Sequence, residues 1–151
     1  LAEAKSANDL KGRTQVAAIC YRRAETSIEF LLVRTTGGRW TFPKGNVEAG
    51  EQKWFAAQRE AFEESGAVGE VEHEPFTTYL HEKKARKEKG LEIKVEAFLL
   101  AVQKTQAPES KRRRPTWFSA AEAENALAED RPFTQAQQFR RVLDEAVNRL
   151  K

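Results

Sequence analysis

Gly45-Asn46-Val47-Glu48-Ala49-Gly50-Glu51-Gln52-Lys53-Trp54-Phe55-Ala56-Ala57-Gln58-Arg59-Glu60-Ala61-Phe62-Glu63-Glu64-Ser65-Gly66-Ala67 is the stretch from which the rest of the chain is read. A loop over 45–50, bracketed by glycines, leads into a helix expected over about 51–65, and Gly66 is its C-terminal stop. With Glu60 at zero and about 100 degrees per residue, Glu63 falls near 300 and Glu64 near 40 degrees. Three carboxylates therefore share one sector. Ala61, Trp54, Phe62 and Phe55 fall between about 100 and 220 degrees. That apolar arc is expected to face the core, with Trp54, Phe55 and Phe62 as core residues and the carboxylates opposite.

Like charges three and four residues apart destabilise a helix by roughly 0.2–0.5 kcal/mol per pair. Arg59, beside Glu63 on the wheel, relieves part of this, and a divalent cation would relieve more. Clustered carboxylates are the hard oxygen donors that Mg²⁺ and Mn²⁺ prefer. Composition alone favours a solvated acidic face, since charge runs usually mean surface.

Outward from the helix, segments 14–22 and 28–34 are rich in Val, Ile, Leu and Phe and read as strands around a polar turn. Gly37 and Gly38 break the pattern, and 40–43 reads as a short extended piece ending at Pro43. Segments 76–80, 91–102 and 116–118 read as strands, with 81–90 a charged loop or hairpin arm. Ser119 and Glu122 give a capping-box signal for a helix over roughly 120–129. A last helix starts near Thr134, with Phe139, Val142, Leu143, Ala146, Val147 and Leu150 on one buried face. Strands, one central helix, more strands and then helices predict an α/β/α domain, a mixed β-sheet sandwiched between α-helices.

The 151 residues suit one domain, expected over 13–151 after a polar tail at 1–12. No run of 18 apolar residues is present, which speaks against a membrane-spanning helix. The opening residues lack the apolar core of a signal peptide, and a single cysteine, Cys20, forms no internal disulfide. The expected compartment is therefore the cytosol. With only His73 and His81 beside Cys20, a Cys/His zinc site is nearly excluded, and any metal is expected on oxygen ligands. Both histidines read as surface residues. Lys and Arg number 26 against 23 Asp and Glu, and the excess of +3 suggests an anionic partner. Basic residues cluster at 83–89 and 111–114.

The spacing of Gly45, Glu51, Arg59, Glu60, Ala61, Glu63, Glu64, Gly66 and Ala67 resembles the signature box of the Nudix hydrolases. All seven fixed residue types of that box are present. At average abundances a chance match has odds of about one in a million. Trp40-Thr41-Phe42-Pro43-Lys44 also looks like the family's lead-in to the box. The resemblance implies a Nudix fold and cleavage of a pyrophosphate bond in a nucleoside diphosphate linked to another group. It implies Mg²⁺, with Mn²⁺ as the other candidate, on Glu60, Glu64 and the carbonyl of Lys44. Glu63 would be the proton acceptor, Arg59 would orient the carboxylates, and Glu51 would tie the loop down. Gly45 lets the backbone approach the substrate.

The overall pattern is most similar to the branch that hydrolyses dinucleoside polyphosphates and diphosphoinositol polyphosphates. Arg13, Arg34 with Thr35, Arg39, Arg113 from the 112–114 run, and Arg131 stand where that branch would contact phosphate, beside Lys44 and Gly45. Lys44 is more typical of the dinucleoside polyphosphate enzymes than of the inositol ones, which usually carry Gly there. Trp40 reads as core, with base stacking as its alternative role, and Trp117 and Phe118 read as core. The competing functions are an RNA 5′-pyrophosphohydrolase, an ADP-ribose or nucleotide-sugar pyrophosphatase, and a nucleotide-binding module without catalysis. No membrane partner is expected, and the sequence does not fix the oligomeric state.

Overall fold

The computed structural model describes residues 14–83 and 91–151. In chain order they form β1 (Gln15–Arg23), β2 (Ile28–Arg34), β3 (Trp40–Thr41), β4 (Lys44–Asn46) and α1 (Lys53–Ser65). There follow β5 (Ala67–Val71), β6 (Thr77–Lys83), β7 (Leu91–Thr105), a 3₁₀ turn at Lys111–Arg113, β8 (Thr116–Ser119), α2 (Ala120–Ala128) and α3 (Phe133–Leu150).

The sheet is built on a parallel pair, β1 beside β7, in register from Gln15 opposite Val95 to Tyr21 opposite Ala101. The remaining ladders are antiparallel. β2 and β4 share the other edge of β1, β5 and β6 share the other edge of β7, and β8 and β3 pair with β2.

A strand covered on both faces sends alternate side chains to opposite sides. Val16, Ala18 and Cys20 of β1 join Phe98 and Leu100 of β7 under α1. Ala17 and Ile19 join Val95, Ala97 and Leu99 on the opposite face, under α2 and α3. The expected sheet between helix layers is present. The capping box of α2 is formed in both directions: Glu122 N donates to Ser119 Oγ (3.2 Å) and Ser119 N to Glu122 Oε1 (2.9 Å). The core face of α3 is Phe139, Val142, Leu143, Ala146 and Leu150, with Val147 partly buried at its margin. Among the described residues no helix is long and apolar enough to cross a membrane.

Several expectations need correction. α1 begins at Lys53, so Glu51 stands in the loop ahead of it. Its buried residues are Ala56, Ala57, Ala61, Glu64 and Ser65, whereas Phe55 and Phe62 are 48% and 41% exposed. The arc is thus split: Ala61 is buried and Trp54 packs partly against the sheet side, whereas Phe55 and Phe62 are turned away from it. The physical reason is distance: alanines let the helix axis come close to the sheet, and bulky rings between them would hold it off. β5 was not expected; only Ala67 of its five residues is buried, so it carries no clear alternation. The extended piece expected at 40–43 is present as β3, but the loop expected from Gly45 begins later, because Lys44–Asn46 pair with β1 as β4. Residues 81–83 continue β6, while 84–90, with most of the first basic cluster, and Arg13 lie outside the described residues.

Candidate functional site

α1 sets its inward carboxylates against the turn at β4. Glu60 and Glu64 lie one helical turn apart on the same face, next to Ala57 and Ala61. A Cβ built on Gly45 would stand 1.5 Å from Glu60 Oε2, so glycine is required there by the approach of the carboxylate. The backbone N–H of Lys44 points to Glu64 Oε1 at 3.4 Å. At the far end of α1, Gly66 adopts φ 74°, and a Cβ on it would meet the carbonyl oxygen of Gln106 at 1.7 Å.

Arg59 is the hub of the outer side. Its Nε and Nη2 donate to the two oxygens of Glu51 at 2.6 and 2.9 Å, a bidentate fork. Nη2 also donates to the carbonyl of Asn46 (3.1 Å), and Nη1 to Glu60 (3.0 Å) and Glu63 (3.2 Å). Glu51 closes the loop further by accepting from Glu48 N at 2.9 Å. One guanidinium thus holds loop 46–51 and two helix carboxylates in fixed relation.

The electrostatics separate these glutamates. The hydrogen bond from Arg59 holds the Glu51 carboxyl below its ordinary range. Burial pushes Glu64 up to about 8, opposed by Arg113 and reinforced by Glu60. Burial also raises Glu60, against the pull of Arg59 and with the push of Glu63. Two partly desolvated carboxyl groups on one helix face are thus both pushed toward the protonated form, the behaviour expected of acids forced together. That donor set is all oxygen and suits a divalent cation in place of the proton. Among the described residues no three His, Cys, Asp or Glu side chains form a ready-made cage. The fit therefore rests on two carboxylates with a backbone oxygen, water and substrate completing the shell, as is usual for Mg²⁺.

The other expected site residues lie in several places. Arg34 and Thr35 serve the β2–β3 turn: Arg34 Nη1 donates to Gly38 O (2.5 Å) and stacks over Trp40 (4.2 Å), and Thr35 Oγ1 accepts from Arg39 N (3.1 Å). Trp40 packs edge-on against Phe118, which accords with a core role. Arg39 and Arg131 lie together across the gap to α2. Arg39 Nη1 reaches Asp130 O at 3.4 Å, and Arg131 Nη1 donates to Leu127 O at 2.9 Å. Burial first, and then Arg39, lowers Arg131 to about 10. Two mutually repelling guanidiniums are a natural anion contact. Of the 112–114 run, Arg113 is the half-buried member, 3.8 Å from Glu64 Oε1. Lys44 Nζ is turned toward Gln15 Oε1, at 3.5 Å.

Sequence reasoning missed Tyr79. It is 1% exposed, and its hydroxyl has no hydrogen-bond partner among the described residues. Burial raises its ionisation, with Arg131 pulling the other way and Glu64 adding to it. A tyrosine on a strand carries no sequence signal separating it from a core phenylalanine. His73 is exposed and stacks on Trp54 at 4.1 Å, away from this cluster.

The family model described as the NUDIX domain matches residues 12–139. The chain belongs to the NUDIX family. A curated relative, the asymmetrical bis(5′-nucleosyl)-tetraphosphatase of Caenorhabditis elegans, is 43% identical over 54 residues, which span 34% of this chain and 39% of that protein. The C. elegans Ap4A hydrolase binary complex superposes with a TM-score of 0.62 at 22% identity, covering 91% of this chain and 97% of the other. The NUDIX domain of Shewanella oneidensis NrtR, crystallised with ADP ribose, reaches 0.68 at 16% identity over 99% and 98%. These structural likenesses establish a shared NUDIX fold. Within that fold, Gly45, Glu60 and Glu64 of the box meet where β4 faces the inward side of α1, and Arg59 ties Glu51 and Glu63 to them.

Proposed function

We propose that this NUDIX chain is a Mg²⁺-dependent hydrolase of a pyrophosphate bond in a nucleoside diphosphate linked to a second group, with a dinucleoside polyphosphate as its substrate. The observation that carries the reading is the pair Glu60 and Glu64, one turn apart on the inward face of α1, with Glu60 pressed against Gly45 and Glu64 buried beside the Lys44 backbone. Glu60, Glu64 and the carbonyl of Lys44 would hold the ion. When bound, it neutralises charge on the phosphate oxygens and acts as a Lewis acid. Glu63 is the more open glutamate, 35% exposed and held by Arg59, and takes the proton of the attacking water. Arg39 and Arg131 bind the phosphate chain. Mn²⁺ would occupy the same oxygens.

The substrate class is supported by the tetraphosphatase relative and by Lys44 within Pro43-Lys44-Gly45, which also sets diphosphoinositol polyphosphates second. The test is incubation with Mg²⁺ and a panel of diadenosine polyphosphates, diphosphoinositol polyphosphates, ADP-ribose, nucleotide sugars and 5′-triphosphorylated RNA, with products resolved by chromatography. Cleavage of a diadenosine polyphosphate, lost in chelator, is the expected result. Glu63→Gln should keep the fold and lower turnover by about 10²–10⁴-fold. Cleavage of RNA alone, weakening steeply with salt, would replace this reading. Absence of any diphosphate cleavage would remove the enzyme.

A further inference from the structure

Arg113 sits in the 3₁₀ turn between β7 and β8, and this turn is tied to the box helix. Gln106 N donates to Gly66 O (2.9 Å), and Glu109 N to Glu63 O (3.2 Å). The segment leading to Arg113 is therefore anchored at the C-terminal end of α1. On the other side, Arg113 Nη1 donates to Arg34 O at 3.3 Å, across the start of the β2–β3 turn. Arg114 next to it takes a left-handed φ of 44°, unusual for a side chain of this size. Held from both sides, the guanidinium stands 3.8 Å from Glu64 Oε1, and Glu64 is 8% exposed. The Glu64 end of this pair is buried while Arg113 is half-buried, and a charge next to a buried carboxylate acts more strongly than one at the surface.

We infer that Arg113 is a positioning residue with two opposed effects: it resists entry of the divalent cation at Glu64, and it draws in the polyphosphate whose charge cancels that resistance. The inference rests on the proposed cation site. A guanidinium in contact with a metal ligand repels a doubly charged ion and competes with it for the carboxylate. A phosphate chain entering beside the ion supplies the negative charge that relieves both. The cation and the polyphosphate thereby favour each other's binding, and the coupling is reciprocal. The other cations near this corner are Lys44 and Arg131, which also act on the incoming phosphates, and Arg59, which donates to Glu60 at 3.0 Å, whereas Arg113 is the guanidinium facing Glu64. Arg113 differs from Arg131 in that it pairs with the candidate ligand itself.

The test uses wild type, Arg113→Gln, Lys111→Gln and Glu64→Gln. Mn²⁺ alone is titrated without oxygen and followed by paramagnetic resonance at a series of rising pH values, and the affinities are compared where they no longer change with pH. Separately, a methylene-bridged diadenosine polyphosphate is titrated in chelator by calorimetry. Arg113→Gln is expected to bind Mn²⁺ roughly tenfold more tightly and the analogue more weakly. Lys111→Gln, which removes a charge from the same turn, should do neither to a comparable degree. A merely structural role for Arg113 would weaken both ligands together, and that result overturns the inference. Unchanged or weaker Mn²⁺ binding in Arg113→Gln overturns it as well. If wild type binds no Mn²⁺, or Glu64→Gln binds it undiminished, the cation site itself falls and this inference with it.

Discussion

Gly45 shows how one atom governs a site. Glycine at this position is not required by a left-handed backbone, since its φ is not in that region; it is required because Glu60 Oε2 occupies the space a Cβ would take. Gly45→Ala must therefore push Glu60 aside, and the group that moves is the end of a flexible side chain. The fold should survive with a melting temperature within a few degrees of wild type, by calorimetry. Glu60, however, leaves its place beside Glu64. We expect turnover to fall severely and the rise in melting temperature on adding Mg²⁺ to disappear. An alanine variant with an unchanged Mg²⁺ dependence of rate would show that Glu60 is not held against β4 for the sake of a cation. Arg59 is a different kind of residue, because its five hydrogen bonds reach the loop and the helix at once. The wheel placed Arg59 beside Glu63, and the family resemblance gave Glu51 only the task of tying down the loop; that Arg59 is its bidentate partner is seen only in the folded loop.

At the scale of elements, α1 was legible in position but not in orientation. Gly66 marked its end, and the period of its residues was correct. The phase was not, because hydrophobicity ranks Phe55 and Phe62 above alanine for burial. The helix instead packs through Ala56, Ala57 and Ala61, and that choice brings Glu60 and Glu64 to the sheet. A rule based on side-chain polarity has no access to the separation of helix and sheet. The prediction runs against hydrophobicity: Ala61→Leu should destabilise the protein by about 1–3 kcal/mol through overpacking. Phe62→Ser should cost no more than about 1 kcal/mol. Urea unfolding measures both, and a reversed order would mean that the helix lies the other way round. β5 was invisible for a related reason. Its pairing with β7 is irregular between Val68 and Gly69, and its exposure hides the period of two. By contrast, α2 and α3 were read almost to their ends, because a capping box and a long apolar stripe are local signals. What α3 did not announce is that Gln135 and Gln138 bond the free edge of β6 at Leu80 and Glu82, closing it to further strands.

For the whole molecule, the excess of +3 conceals a division of charge that ties stability to pH. Glu64 has a folded value of about 8 against an ordinary 4.5. The native state therefore binds more protons than the unfolded state between those values, and stability falls as pH rises through that window. Glu60, raised by burial, acts in the same direction. Glu51 acts oppositely: its lowered value contributes stability above its ordinary range, which is lost as pH falls below it. In chelator, the melting temperature should thus climb from acid to about pH 5 and decline toward pH 8 and beyond. Glu64→Gln removes the main cause of the decline, since the amide stays neutral at every pH. It should melt above wild type at pH 8 in chelator and near it at pH 5. Mg²⁺ should restore wild type at pH 8 by replacing the lost proton, and should do little for Glu64→Gln. Parallel declines of the two proteins in chelator would mean that the buried carboxyl does not govern the pH response, and that the strain at this corner lies elsewhere in the cluster around Arg59.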